Sequence, residues 1–171
     1  MHIVIDGYNF IHRSRYLVKI PAPDLQAGRD ALVDALAAYK KMKPFKITVV
    51  FDGTLAPSAL PRRDQLKGIR LRYSHPGELA DTVIKRMAAR DREKLLVVSS
   101  DREVAEYAAA RGAATLGAEA FEEKLLLARM GSQDLEESDA DSGWRPTTRK
   151  KGPAQRLPKK KRRLERKLNK F

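Results

Sequence analysis

An α/β fold built on a central, mostly parallel sheet is predicted by three features of the sequence. Three apolar runs, β-branched or leucine-rich, each close on an aspartate: Ile3-Val4-Ile5 on Asp6, Thr48-Val49-Val50-Phe51 on Asp52, and Leu95-Leu96-Val97-Val98 on Asp101 after Ser99 and Ser100. Such runs read as buried strands. A helical stretch follows each, directly or after a loop, and strands alternating with helices make a parallel sheet. Parallel strands bring their C-terminal ends to one side, so three carboxylates from distant parts of the chain are expected along one edge.

The first strand spans residues 2–6 and leads into a loop. A helix over 24–42 follows, with Leu25, Leu32, Val33, Leu36 and Tyr39 at helical spacing and Asp24 as its N-cap after Pro23. Strands at 46–51 and 69–73 are separated by a long loop, Gly53 to Gly68, that carries Pro57, Pro61, Arg62, Arg63 and Lys67. Loops of that length are more often functional than inert. A helix over 78–91 has Leu79, Val83 and Met87 four apart. A strand at 94–98, a helix at 101–111, a short edge strand at 113–116 and a helix at 118–130 complete the pattern, with Gly112 at a helix C-cap.

Length and charge divide the chain. Residues 1–131 form the expected body, 132–142 an acidic linker with little to bury, and 143–171 a basic tail. The formal charge is +13, yet Gly143 to Phe171 holds 13 Lys and Arg against one acid, Glu165. The body is therefore nearly neutral, and a basic block of this kind usually contacts nucleic acid. Leu164, Leu168 and Phe171 lie at i, i+4 and i+7, a short basic amphipathic stretch that forms a stable helix only against a partner. The absence of cysteine excludes disulfides, zinc-thiolate sites and thiol catalysis, and fits a reducing cytoplasm. The start lacks the basic and apolar regions of a signal peptide, and no apolar run spans a bilayer.

The acids carry the chemistry. Glu78 and Asp81 in Gly77-Glu78-Leu79-Ala80-Asp81 are three apart at a helix start and are expected to share a face. In open α/β sheets ligands bind outside the strand C-termini, where these carboxylates converge. Several carboxylates without a His/Cys set suit a hard cation, Mg²⁺ or Mn²⁺. Such an ion polarises a phosphoryl oxygen and activates water. Beside a basic tail, that chemistry points to phosphodiester hydrolysis. Arg62, Arg63 and Lys67 on the long loop, and Lys159, Lys160, Lys161, Arg162 and Arg163 in the tail, are the expected contacts to a nucleic-acid backbone. Each acid also has a plain structural reading. Asp6 and Asp52 each precede a glycine and suit turns, Asp101 suits an N-cap, and Glu78 and Asp81 suit a helix dipole. His2, His12 and His75 have no required chemical task; Tyr8 is read equally as packing or as a stacking platform, and Trp144 as a base-stacking residue.

Four segments also carry a resemblance. Ile5-Asp6-Gly7-Tyr8-Asn9, Val50-Phe51-Asp52-Gly53, Gly77-Glu78-Leu79-Ala80-Asp81 and Ser99-Ser100-Asp101-Arg102-Glu103-Val104 occur in the order and spacing of the YacP-like NYN-domain family, within the PIN-like nuclease group. The chain resembles that family over about residues 2–130. The resemblance implies a PIN-like three-layer α/β/α fold, a Mg²⁺- or Mn²⁺-dependent acidic site, and endoribonuclease action in the bacterial cytoplasm. Family members tied to mRNA decay on ribosomes imply the ribosome as a partner. Carried over by position, Asp6, Asp81 and Asp101 are metal ligands, Glu78 ligates or holds a water, and Asn9 orients Asp6 or a phosphate. Asp52, Ser99 and Ser100 are expected in the outer shell. Where family members often have a further acid, this chain has Thr82, which favours one ion, completed by substrate phosphate, over two.

Two other readings compete with the nuclease. The first is a PIN-like body that binds RNA or the ribosome without cutting, which Thr82 and the tail charge favour. The second, a phosphatase or phosphotransferase, lacks both a P-loop and the strand-end Asp-x-Asp pair of haloacid-dehalogenase-type phosphatases, and leaves the tail unexplained.

Overall fold

The computed structural model describes residues 1–15, 17, 25–55 and 63–137. In chain order the elements are β1 (His2–Asp6), α1 (Gly7–Arg13), α2 (Leu25–Met42), β2 (Lys46–Phe51), β3 (Arg63–Leu66), β4 (Ile69–Tyr73), α3 (Ala80–Asp91), β5 (Leu95–Val98), α4 (Arg102–Ala110), β6 (Ala114–Leu116) and α5 (Ala118–Glu137). The six strands form one sheet in the order β3-β4-β2-β1-β5-β6. Every pairing is parallel except the β3–β4 hairpin. From β1 the chain builds outward to β2 and β4, then crosses through α3 to β5 on the other side. The strand order therefore reverses at β1, and its carboxyl end is the switch point where ligands of open sheets bind.

Side-chain alternation along β1 sets the layers. Ile3 and Ile5 enter one core with Tyr8 and Phe10 of α1, Leu32, Leu36 and Tyr39 of α2, and Phe121 and Leu125 of α5. Val4 enters the second core with Val83, Ile84 and Met87 of α3 and Val104 and Ala108 of α4. The result is the three-layer α/β/α arrangement expected from the sequence. Phe121 anchors the first core, edge-on to both Phe10 and Tyr39. Burying each such side chain contributes about 1.5–3 kcal/mol. At the foot of β1, His2 is buried between Thr48 (Nε2 to Oγ1, 2.8 Å) and Asp91 (Nδ1 to Oδ2, 3.3 Å). Burial first, and then the positive charges of Lys46 and Arg70, push its pKa down to about 4. No helix among the described residues is long and apolar enough to cross a membrane.

Several elements differ from the sequence expectation. The segment after β1, expected as a loop, is the short helix α1. It starts on glycine and is too short for an apolar repeat to declare itself. The long loop contains β3, which pairs with β4 across the two-residue turn Lys67-Gly68. Both turn residues have positive φ, 50° and 77°, the conformation of the tight hairpin turn that matches strand twist. Helix α3 begins at Ala80 rather than residue 78, so Glu78 precedes the helix and does not share its face with Asp81. The helix expected to end at residue 130 continues to Glu137, into the segment read as linker. Residues 131–137 contain no proline, and extending a formed helix costs little. Asp24, Arg62, the remainder of the linker and the entire basic tail, with Lys159, Lys160, Lys161, Arg162 and Arg163, lie outside the described residues.

The Asp6-Gly7 step is a packing requirement. A Cβ on Gly7 would overlap the ring of Phe51 and crowd Val49. Gly7→Ala should therefore cost about 1–3 kcal/mol of stability, the usual range for overpacking, seen as a lower melting temperature in thermal unfolding.

Candidate functional site

The acids gather where the strands end. Asp6 closes β1 and is the N-cap of α1: its Oδ1 accepts from the Asn9 backbone N–H at 3.3 Å. Its Oδ2 accepts from the Ser99 hydroxyl at 3.1 Å. Asp101 is the N-cap of α4, its Oδ1 accepting from Val104 N–H at 3.0 Å. Asp81 lies in the first turn of α3 and makes no hydrogen bond or ion pair among the described residues. Three helix N-termini thus point at one edge of the sheet, each carrying an acid that its partial positive charge favours.

Ser99 ties two of these groups together. Its hydroxyl donates to Asp6 and accepts from the backbone N–H of Asp101 at 3.1 Å. Asn9 makes a second tie, its Oδ1 accepting from Ser100 N–H at 2.9 Å. The ends of β1 and β5 are therefore laced by side chains where the ladder stops. The Ser100 hydroxyl turns away and accepts from Ala118 N–H at the start of α5, so only its backbone belongs to the site.

The electrostatics match this crowding. Burial raises the Asp6 pKa to about 6, with Asp81 and Asp101 adding repulsion and the Asn9 and Ser99 hydrogen bonds opposing it. Asp81 is also raised, by burial first and then by Asp101, with Glu103 and Asp52 contributing. Asp6 thus feels Asp81 and Asp101, Asp81 feels Asp101 and Asp52, and the hydrogen bonds to Asp6 only partly offset this crowding.

Other expected members of the site stand apart. Asp52 Oδ1 accepts from the Thr54 backbone N–H at 2.9 Å and from the Thr54 hydroxyl, closing its own turn, and reaches the cluster only through its charge. Glu78 is committed elsewhere, to Arg86 at 2.5 Å and to His75 N–H at 3.2 Å. The His75 backbone N–H, then Arg86, hold its carboxyl below the ordinary range. Lys67 sits in the β3–β4 turn, at the opposite end of the sheet from the acids, paired with Asp34. Arg63 opens β3.

Lys85 is a neighbour the motifs did not expose. It lies one helical turn beyond Asp81, pairs with Glu103, and feels Asp81 and Asp101. The i, i+4 spacing of Asp81 and Lys85 is the signal in the sequence that finds it.

Comparison with known proteins follows this geometry. The family model described as the YacP-like NYN domain matches residues 3–170. The chain belongs to the YacP-like NYN domain family. The match continues past residue 131, where the sequence reading ends the body, and across the basic tail. Family membership agrees with the PIN-like α/β/α fold described above. YacP of Bacillus subtilis (strain 168) is 27% identical over 86 residues, and the chain spans half the length of that relative. The crystal structure of Rae1 (YacP) from Bacillus subtilis is similar at a TM-score of 0.67 and 21% identity, over 80% of each chain. A mutant of Rae1 gives a TM-score of 0.65 and 20% identity, over 81% of this chain and 86% of that one. At these identities the solved structures establish the fold of this NYN chain.

Whether the NYN site suits a hard cation turns on its donors. Among the described residues no three or more His, Cys, Asp or Glu side chains form a group that could hold an ion, so Asp6, Asp81 and Asp101 do not make a three-carboxylate cage as they stand. The reason is local: Asp6 and Asp101 are drawn to cap α1 and α4. The donor chemistry nevertheless fits an ion held by one or two carboxylates, its own waters and a substrate phosphate, the usual manner of Mg²⁺ binding. Asp81, with no hydrogen-bond partner among the described residues, is the carboxylate best able to turn toward it.

The pKa of Asp6 makes a stability prediction. Its folded value, about 6, lies above the unfolded value near 3.8, so the folded chain holds the extra proton between them. Asp6 therefore costs stability progressively as pH rises through this window. Asp6→Asn, which keeps an N-cap oxygen, should be more stable than the parent above pH 6 by on the order of 1–3 kcal/mol. Thermal melts from pH 3.5 to 8 should show that gap closing below about pH 4.

Proposed function

We propose that this chain is a divalent-cation-dependent endoribonuclease that cuts RNA phosphodiester bonds at the carboxyl ends of β1 and β5. The observation that supports it most is the gathering of Asp6, Asp81 and Asp101 at the switch point of the sheet, where burial and mutual repulsion disfavour their charges. A cation bound by these oxygens would relieve that repulsion. The proposed cofactor is Mg²⁺ or Mn²⁺, with Asp81 and Asp101 as principal ligands and Asp6 behind them. Such an ion supplies polarisation of the phosphoryl oxygen and an acidified water.

The chain's own groups then position and exclude. Asn9 has its Oδ1 held by Ser100 N–H, which leaves its Nδ2 donors to face a phosphate oxygen. Ser99 fixes the Asp6 carboxylate so that it cannot swing away from the edge. Lys85, already paired with Glu103, places a positive charge beside Asp81 and favours an approaching phosphate. The basic tail draws RNA to the body by charge, and the proposed setting is mRNA on the ribosome in the cytoplasm.

A second reading is favoured by one specific observation, the lack of a three-carboxylate group among the described residues. On that reading the body binds RNA or the ribosome and does not cut.

The two separate in one set of measurements on the full chain. Under the nuclease reading, RNA cleavage requires Mn²⁺ or Mg²⁺ and falls roughly 10²–10³-fold in Asp101→Asn, the scale of losing several kcal/mol of metal-supplied stabilisation. The variant keeps its N-cap, so circular dichroism should be unchanged. Cleavage that persists in Asp101→Asn overturns the assignment. Calorimetry with no heat of binding near millimolar cation, and RNA affinity unmoved by the substitution, supports the binding protein instead.

A further inference from the structure

A groove of about 550 Å³ runs along the α3 side of the sheet, over β4 and the start of β2. Its walls include Lys46, Arg70, Arg72 and Arg90, with Asp64 as the one acid. The alternation of β4 creates it. Ile69, Leu71 and Tyr73 point into the first core, so Arg70 and Arg72 point to the opposite face. On that face α3 packs mainly against β1, β2 and β5, and its Met87 and Arg90 form one side of the groove over β4. Lys46 and Arg70 have no hydrogen bond or ion pair with another described side chain. Both nevertheless act on buried His2, lowering its pKa, so their positive field is felt at the groove floor.

Edge protection does not account for this arrangement. Charges that guard a sheet belong on its outer strand, whereas β4 is internal, between β3 and β2. Arg90 has its counter-charge in Asp91, whereas Lys46 and Arg70 are paired with no acid among the described residues. Guanidinium forks match phosphate oxygens bidentately, and the ring of His2 at the groove floor is buried and held by Thr48 and Asp91, so it offers no open face for a base to stack on. That combination suits a sugar-phosphate backbone read without regard to sequence.

We propose that this groove holds the backbone of single-stranded RNA and feeds it toward the acidic edge. The inference deepens the nuclease reading and rests on it for the direction of travel. Helix α3 links the two places: Asp81 is in its first turn at the acidic edge and Arg90 in its last turn at the groove. Nine residues at 1.5 Å each separate them, about 14 Å along the axis. A strand lying on Lys46 and Arg70, past Arg90 that Asp91 already holds, thus has its continuation within reach of Asp81.

Because the basic tail also attracts RNA, the test must resolve the site. The full chain is acetylated with and without a uridine 12-mer, and the modification of each lysine is read by mass spectrometry. Lys46 should be protected several-fold, while Lys41, exposed on α2 at the other face, should not. Arg70→Ala should weaken binding of the 12-mer and flatten the dependence of log affinity on log salt by ~0.7, one phosphate contact on a single strand. Lys46 protection should survive in Asp101→Asn, which separates failure of the groove from failure of the cleavage reading. Equal modification of Lys46 with and without RNA, or an unchanged salt slope in Arg70→Ala, overturns the proposal. Protection by polyglutamate equal to that by RNA overturns it in favour of an acidic protein partner.

Discussion

The structure depends on a carboxylate placed at the end of the central strand. Asp6 is only 6% exposed, and burial of an ionised group is costly unless hydrogen bonds answer it. Two do: the Asn9 N–H, which starts α1, and the Ser99 hydroxyl, which belongs to the end of β5. The same contacts therefore begin a helix, pin two strands and fix the geometry of the candidate site. The remaining strain is seen in the raised pKa of Asp6. Gly7 follows from the same placement, since the chain must turn against Phe51 immediately after the carboxylate.

The positions of the buried strands were legible because β1, β2 and β5 are apolar on both faces and stop at Asp or Ser. Helix α2 was legible from its repeat. What escaped was local geometry without a hydrophobic pattern. The four-residue strand β3 contains Arg, Asp and Gln and is recognised only by pairing with β4. The seven-residue helix α1 is held by a cap rather than by its own propensity. The start of α3 was misplaced because Glu78 looks like a first-turn acid. In fact its backbone carbonyl accepts from the Ser74 hydroxyl at 2.6 Å, within the turn that delivers the chain to the helix.

The site was legible in the same uneven way. The strand-end pattern brings Asp6 and Asp101 to one edge, and the motif order adds Asp81. The N-cap role of Asp101 is among the sequence readings, but Asp6 reads there as a turn residue rather than a cap, and nothing in the spacing shows that Glu78 turns to Arg86. Both are orientations of a side chain about a known backbone position, which spacing along the chain does not encode. The basic contacts expected on the long loop were partly displaced for a related reason. The hairpin carries Lys67 to the far end of the sheet, while the alternating arginines of β4 line the basic groove.

Ser99 has a consequence beyond its two hydrogen bonds. Its oxygen receives a proton from one neighbour while its own proton goes to another, so the residue must be donor and acceptor in the space of a single atom. Only a hydroxyl on a short side chain meets that demand. Alanine would leave a buried carboxylate and a backbone N–H each short of a partner, and a carboxylate would add a further negative charge against Asp6. The vocabulary permitted at this position is therefore close to two letters, serine and threonine, although nothing in its own hydropathy or spacing marks it as constrained.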